Sequence, residues 1–426
     1  MTDYDVIIVG GRPAGATLAA RLGMAGLRIL LVERAQMPSL PGASCPIVYA
    51  PTLKMLDEIG ADELAYARGT PRIQRMVNET PGLETVLTIP LAYGRDYAYA
   101  IDRSRFDFAL WENACQLPTV DSWAGASLTD LLWDGENVVG AVIREAHGPQ
   151  RHITSKLVIG ADGRFSTVAR KVGAPERDER DQHPASIYYA YWSGAEPYDA
   201  LGPTAVAGGP GYGYGYLVMD SADGSTVVAF EGQSALLNPP AGQIDDFYAG
   251  LIAQNPPVAR RLVRAERQTQ VRGMKAIGNL YRQPGGPGWA LVGDAYHQKD
   301  PIDGQGIYDA VLTAKLLARE VVDFFDGDKL WSEALVSYDQ TSRRETYPMY
   351  MQTVERSRAS LYDRPSPWAR TLVRWMLQDP VMQEAVGMML TRQQVPDQRR
   401  DLPLMIGAVM RGPLRELSQL LDRMAK

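Results

Sequence analysis

The sequence predicts an α/β fold, with a βαβ unit at the N-terminus, an antiparallel sheet inserted in the middle and a helical C-terminal region. Three observations carry this prediction. Residues 4 to 9 and 28 to 33 are short apolar runs flanking a small-residue helical stretch at 14 to 25. Residues 183 to 232 turn Tyr-rich and β-favouring, broken by Gly and Pro, with little helical periodicity. A long helical pattern covers 304–324, and helical patterning continues from there. The other elements fill in between. Arg103, Phe106, Leu110 and Ala114 mark a helix over 103–116. Strands follow near 138–144 and 151–160 around a Gly148-Pro149 turn, and Trp289 to Val292 forms a strand ahead of the long helix.

With 426 residues and 45% hydrophobic content, the chain can bury two or three cores, so a multidomain globular protein is expected. A formal charge of -6 with scattered Lys and Arg offers no basic patch, so no nucleic-acid partner is expected. Cys45 and Cys115 lack the spacing of a disulfide framework or a zinc site. That fits a reducing, cytoplasmic setting and no metal. The acidic start Met1-Thr2-Asp3-Tyr4-Asp5 runs straight into an apolar strand, so no targeting peptide is expected. Apolar runs are cut by Gly, Arg or Asp before the roughly 18 residues of a membrane span.

The strongest local motif is Gly10-Gly11-Arg12-Pro13-Ala14-Gly15, between a strand and a helix, with Glu33 and its neighbour Arg34 about 20 residues on. Unpaired N–H groups and the positive end of the helix dipole favour a pyrophosphate at that turn. The Glu33 carboxylate can accept hydrogen bonds from adenosine ribose hydroxyls. Arg12 stands where a second glycine normally lets the backbone approach the phosphates; its guanidinium either meets phosphate or points to solvent. Alone, the motif does not separate NAD from FAD.

Two further motifs do. Gly160-Ala161-Asp162-Gly163-Arg164 is followed by Ser166 and Arg170, and Gly293-Asp294-Ala295-Tyr296-His297 leads to Pro301, Gly304, Gln305 and Gly306. In this order the three motifs resemble the p-hydroxybenzoate hydroxylase-like FAD-dependent (group A) flavoprotein monooxygenases and the geranylgeranyl reductase superfamily. The resemblance implies a glutathione-reductase-like FAD-binding Rossmann fold, discontinuous over 1–75, 101–180 and 271–340. It further implies a substrate-binding antiparallel-sheet domain over 76–100 and 181–270, and leaves 341–426 as a helical C-terminal region. Asp162 and Gly163 would serve FAD and transient NAD(P)H binding, although Asp162 or Ser166 could equally cap a helix. Asp294 would accept hydrogen bonds from the ribityl chain, and the helix opened by Gly304 to Gly306 would face the flavin pyrimidine edge. Arg103 matches a helix arginine through which relatives touch FAD. Tyr308 and Thr313 depart from the family's Asn and Asp.

In such relatives the ligand lies between the flavin and the middle sheet. Tyr214 and Tyr216 alternate with glycine, share a strand face, and are expected either to wall the substrate pocket or to pack a core. Tyr188, Tyr189, Tyr191 and Trp192 carry the same two readings. The stretch Tyr214 to Met219 lies where geranylgeranyl reductases carry Tyr-x-Trp-x-Phe-Pro and halogenases carry Trp-x-Trp-x-Ile-Pro, and neither signature is intact. Lys54, in the region where halogenases place a lysine, reads as a solvated helix residue. His297 and Lys299 are candidate proton-transfer groups, with a loop-bonded His297 and a Lys299–Asp300 ion pair as the plainer alternatives. Nine of the sixteen methionines follow residue 340 and suit an adaptable pocket wall, a core or a homodimer surface.

The expected activity is hydroxylation or epoxidation of a hydrophobic, aromatic or polycyclic small molecule with FAD, NAD(P)H and O2. A separate flavin reductase is a further partner consistent with the lack of a second nucleotide-binding βαβ unit. The rivals are a reductase of polyprenyl or carbon–carbon double bonds, a halogenase, and a flavin-bound protein that sequesters a ligand without turnover.

Overall fold

The computed structural model describes residues 2–40, 46–80, 83–146 and 148–424; Cys45 lies outside them. Two sheets organise the chain. The first has a spine of parallel strands in the order Trp289–Leu291, Gln150–Gly160, Tyr4–Val9, Ile29–Glu33 and Val120–Ala124. Val6, Ile7, Ile8, Ile29, Leu30 and Leu31 are fully buried, the continuous apolar pattern of strands covered on both faces. Gln150–Gly160 serves two partners. Its first residues pair antiparallel with Asn137–Glu145, and its last ones run parallel to Tyr4–Val9. The helices Pro13–Met24 and Gly306–Phe325 pack against each other beside this sheet.

The second sheet runs in the order His297–Gln298, Arg272–Arg282, Glu176–Ser193, Ser225–Gln233, Tyr214–Asp220, Thr204–Tyr212, Arg75–Thr80 and Leu83–Thr88. Its pairings are antiparallel except that Thr204–Tyr212 lies parallel to Arg75–Thr80. Arg272–Arg282, expected within the FAD-binding segment that starts at 271, pairs with Glu176–Ser193 of this sheet. The polar start of that strand hid its membership, because none of its residues before Ile277 is buried.

Strand alternation gives this sheet two unlike faces. Tyr188, Tyr216, Val218 and Phe230 pack with Tyr248, Leu251 and Val258 of the helices Ile244–Ala253 and Pro256–Arg261. Tyr189, Tyr191, Met219 and Ile277 form the opposite core, together with Tyr49, Ala98 and Ala100. The C-terminal region is helical over Trp331–Ser357, Pro367–Leu377, Pro380–Leu390 and Gln398–Met424. Among the described residues no helix is long and apolar enough to cross a membrane.

Candidate functional site

The three motifs meet at the C-terminal ends of three adjacent parallel strands, where open α/β sheets form their ligand crevice. Glycines make the meeting possible. A side chain on Gly10 would overlap the Ala161 carbonyl of the second motif, and one on Gly15 would overlap the Gly10 carbonyl. A Cβ on Gly293 would stand 2.9 Å from the Ala14 side chain, and Thr313 fixes that turn by accepting from the Gly293 N–H at 3.0 Å. Thr313, where the family has Asp, therefore still has a positioning task.

The helices that leave the first and third motifs, Pro13–Met24 and Gly306–Phe325, have no side-chain N-cap, whereas Asp102 caps the adjacent helix Arg103–Cys115. Their first-turn N–H groups are thus left for a ligand. Gly306 has open space where a Cβ would stand, and Gly304 adopts the left-handed conformation at φ +66. These features fit a dinucleotide cofactor with its pyrophosphate at the first turn and its ring system at the second. Glu33 is buried, and its carboxylate accepts from the N–H groups of Gly11 (2.9 Å) and Ala35 (3.0 Å), while Arg34 is exposed beside it.

Arg12 points neither to solvent nor away from its neighbours. Its guanidinium donates to Asp107 (2.7 Å) and to the Ser39 carbonyl and hydroxyl. Arg103 donates to the same Asp107 from Nε and Nη2, both at 2.9 Å. One fully buried carboxylate thus holds two guanidinium groups beside the glycine turn. Sequence reading gives Asp107 no role; the Arg103/Asp107 spacing of four on a helix was the available signal.

In the second motif, Asp162 accepts from the Ser166 hydroxyl (2.5 Å) and the N–H groups of Thr167 (2.6 Å) and Val168 (3.2 Å). This is the helix-capping arrangement, and Ser166 adds a bond from the Ala169 N–H. Burial pushes the Asp162 pKa above the ordinary carboxylate range against the pull of those bonds. Gly163 faces open space.

The third motif joins the two sheets. Trp289–Leu291 ends in the first, His297–Gln298 pairs with Arg272–Arg282 in the second, and the chain then turns through Pro301–Asp303 into the helix Gly306–Phe325. Asp294 is partly exposed, with Arg164 at 3.6 Å, and Arg164 is itself anchored on the carbonyls of Gly278 and Lys299. His297 is buried, its ring stacked 4.2 Å from that of Tyr281 and its Nε2 3.5 Å from the Asp309 carboxylate. Lys299 is buried between Asp303 (2.7 Å) and Asp309 (2.8 Å). The expected Lys299–Asp300 pair is corrected, because Asp300 instead accepts from the Ile302 N–H and the Ser357 hydroxyl. Neither His297 nor Lys299 faces open space. Both read as internal supports of the loop.

Arg392 was not visible as a site residue. It follows the helix Pro380–Leu390, donates to Gln305 (3.2 Å) and Asp309 (3.3 Å), and lies over the Tyr308 ring at 4.5 Å. The Gln305 amide in turn donates to the Leu390 carbonyl at 3.0 Å. The C-terminal region is therefore tied to the start of the helix Gly306–Phe325. Burial pushes the Asp309 carboxyl up, but Lys299, His297 and Arg392 outweigh it and hold the pKa below the carboxylate range.

Tyr214 and Tyr216 do share a face, but it is the outer one. Tyr216 is buried against Phe230, and the Tyr214 hydroxyl accepts from Asn255 at 3.1 Å under the covering helices. Their expected place in the pocket wall is corrected accordingly. Tyr189 and Tyr191 occupy the inner face, where the charges of Arg103, Asp107 and Arg12 act on Tyr189. Burial raises the Tyr189 pKa, so its phenol stays neutral. Lys54 is exposed on the helix Ala50–Asp57.

Residues 3–199 match the FAD binding domain family. A tryptophan 2-halogenase of Chondromyces crocatus is 27% identical over 343 residues, 79% of this chain but only 64% of the relative's length. A digeranylgeranylglycerophospholipid reductase of Methanosarcina acetivorans is 26% identical over 358 residues, covering 80% of this chain and 81% of that one. Among solved structures, a flavoprotein/dehydrogenase from Cytophaga hutchinsonii superposes with a TM-score of 0.77 at 18% identity, over 99% of this chain and 100% of that one. At that identity the likeness is one of fold.

Proposed function

We propose that this chain is an FAD-dependent oxidoreductase of the superfamily of FAD-dependent monooxygenases, halogenases and geranylgeranyl reductases, and that it acts as a monooxygenase. Its substrate is a hydrophobic, aromatic or polycyclic small molecule that it hydroxylates or epoxidises, with NAD(P)H and O2 as co-substrates. Bound FAD would supply the redox chemistry, taking electrons from the nicotinamide and passing them to oxygen. The protein's part is binding, orientation and exclusion of water.

The supporting observation is the inner face of the second sheet. Tyr189, Tyr191 and Met219 belong to a buried aromatic and apolar core on the side of the Arg12–Asp107–Arg103 cluster, so a substrate bound against that face would meet apolar and aromatic surface rather than water. Lys299, Asp303 and Asp309 next to the third motif are committed to one another and to Arg392. Asp294, the least encumbered carboxylate of the three motifs, would hold the ribityl hydroxyls, with Arg164 fixing its direction.

The second reading is reduction of a polyprenyl double bond, favoured by the even coverage of the archaeal reductase. Halogenation is less well supported because Lys54 lies on an exposed helix face. Turnover of a co-purifying or candidate substrate under isotopically labelled O2 separates them. Monooxygenation requires one labelled atom in the product and no product without oxygen. A saturated product formed anaerobically would establish the reductase reading instead, and a halide-dependent product would establish halogenation.

A further inference from the structure

One loop-lined cavity is not used by the reading above. It has a volume of about 560 Å³ and is lined by Glu63, Arg68, Arg72, Arg95, Tyr97 and Tyr99 among others. Its floor is saturated. Glu63 accepts from Tyr97 (2.8 Å), Tyr99 (2.9 Å) and Arg95 (2.7 Å), and Arg95 also pairs with Asp57 at 2.9 Å. Its mouth is not. Arg68 and Arg72 are exposed, and neither meets a carboxylate among the described residues. The Arg72 guanidinium lies over the Tyr97 ring at 4.3 Å and its Nε donates to the Tyr99 hydroxyl at 3.3 Å, while the residue remains exposed.

The backbone that carries these arginines is held in place. Gly69 has φ +70, a side chain there would collide with the Asp223 carboxylate, and the Asp223 N–H donates to the Gly69 carbonyl at 2.9 Å. Arg105 donates to the Arg68 carbonyl and pairs with Asp223 at 2.6 Å. Arg105 and Arg103 both sit in the first turn of the helix Arg103–Cys115. The groove and the Arg12–Asp107–Arg103 cluster therefore adjoin the same helix start. The Thr70 hydroxyl on the groove wall has no hydrogen-bond partner among the described residues.

We propose that this groove binds the adenosine phosphate end of the pyridine nucleotide, with Arg68 and Arg72 as its phosphate contacts and with NADPH preferred over NADH. The proposal rests on the reading that a pyridine nucleotide supplies the electrons. With the glycine turn of the βαβ unit given to FAD, a second nucleotide needs phosphate donors elsewhere. Guanidinium groups match phosphate oxygens bidentately, and Arg72, already held by Tyr97 and Tyr99, needs little ordering on binding. The exposed Arg72 guanidinium suits stacking of adenine, and Leu64, 83% exposed on the rim, offers apolar contact.

The test uses the FAD-loaded protein and the probe adenosine 2′,5′-bisphosphate, measured by calorimetry at low and high salt. Wild type should bind it with salt-sensitive affinity, and the double variant Arg68→Gln/Arg72→Gln should bind about tenfold more weakly. The same variant should keep its flavin spectrum and kcat while its KM for NADPH rises. No binding by wild type, or equal binding by the double variant, overturns the proposal. If wild type is reduced by NADPH and the variant has the same KM, the groove assignment fails and the electron-donor reading stands. If the probe binds through both arginines yet neither nicotinamide nucleotide reduces the flavin, the groove stands and the donor reading fails.

Discussion

Removing Asp107 tests whether one buried carboxylate organises the positive side of the FAD site. Arg12 and Arg103 keep their charge when Asp107→Ala removes their shared partner, because guanidinium does not deprotonate in proteins. Three charge-assisted hydrogen bonds are lost, at 2.7, 2.9 and 2.9 Å, and Arg103 is left 7% exposed. Breaking a buried ion pair from one side costs about 3–5 kcal/mol. With roughly 2.1 cal/mol/K of unfolding entropy per residue, a chain this long has about 0.9 kcal/mol/K, so the apoprotein Tm should fall by about 3–6 °C. An anionic cofactor at the glycine turn would partly replace the missing charge. FAD should therefore raise the variant's Tm by more than it raises that of wild type, with Asp107→Asn in between. Melting followed by circular dichroism, with and without FAD, reads all three proteins. An apo variant melting within about 1 °C of wild type would refute the reasoning, since it would mean that water already solvates the two cations.

Asp294→Ala should release FAD on dialysis while His297→Ala retains it, because Asp294 is partly exposed with a single cation nearby and His297 is packed on Tyr281; equal retention by both would count against the ribityl assignment. Tyr216→Ala should cost about 3–5 kcal/mol of stability in urea unfolding with little change in substrate affinity. Tyr189→Ala should weaken substrate binding at least as much as it weakens the fold, and the reverse ranking would restore Tyr216 to the pocket wall. Asp379 caps the helix Pro380–Leu390 and holds Arg411 and Arg415 of the last helix, and these hydrogen bonds lower its pKa to about 2. A depressed carboxylate pKa stabilises the fold fully above its unfolded value near 4, and that stability is lost as pH falls towards 2. Hydrogen exchange should show residues 380–424 loosening across that window, and Asp379→Asn should flatten the dependence.

The cofactor side of the fold was legible because its signals are local. Gly10, Gly15 and Gly293 stand in short motifs that directly follow strands whose last residues, Val6 to Val9, Leu157 to Ile159 and Trp289 to Leu291, are apolar and buried. The substrate side was not. Alternation establishes that Tyr214 and Tyr216 share a face and that Tyr189 and Tyr191 share a face, but it does not say which face meets the cofactor. Here both faces are aromatic, so composition could not break the tie; only the helices Ile244–Ala253 and Pro256–Arg261, covering the Tyr216 side, do. Arg392 was hidden for a different reason. Its partners Gln305 and Asp309 are 87 and 83 residues away in the chain, and no local pattern marks a contact of that separation. Arg12 combines the two cases. Its position in the glycine motif was plain, but its partner Asp107 lies 95 residues on, so the choice between phosphate and solvent omitted the arrangement found: a guanidinium held in place by a buried carboxylate. The same carboxylate fixes Arg103, so a substitution that looks like a departure from the motif becomes, with one acid, a paired cationic edge for the site.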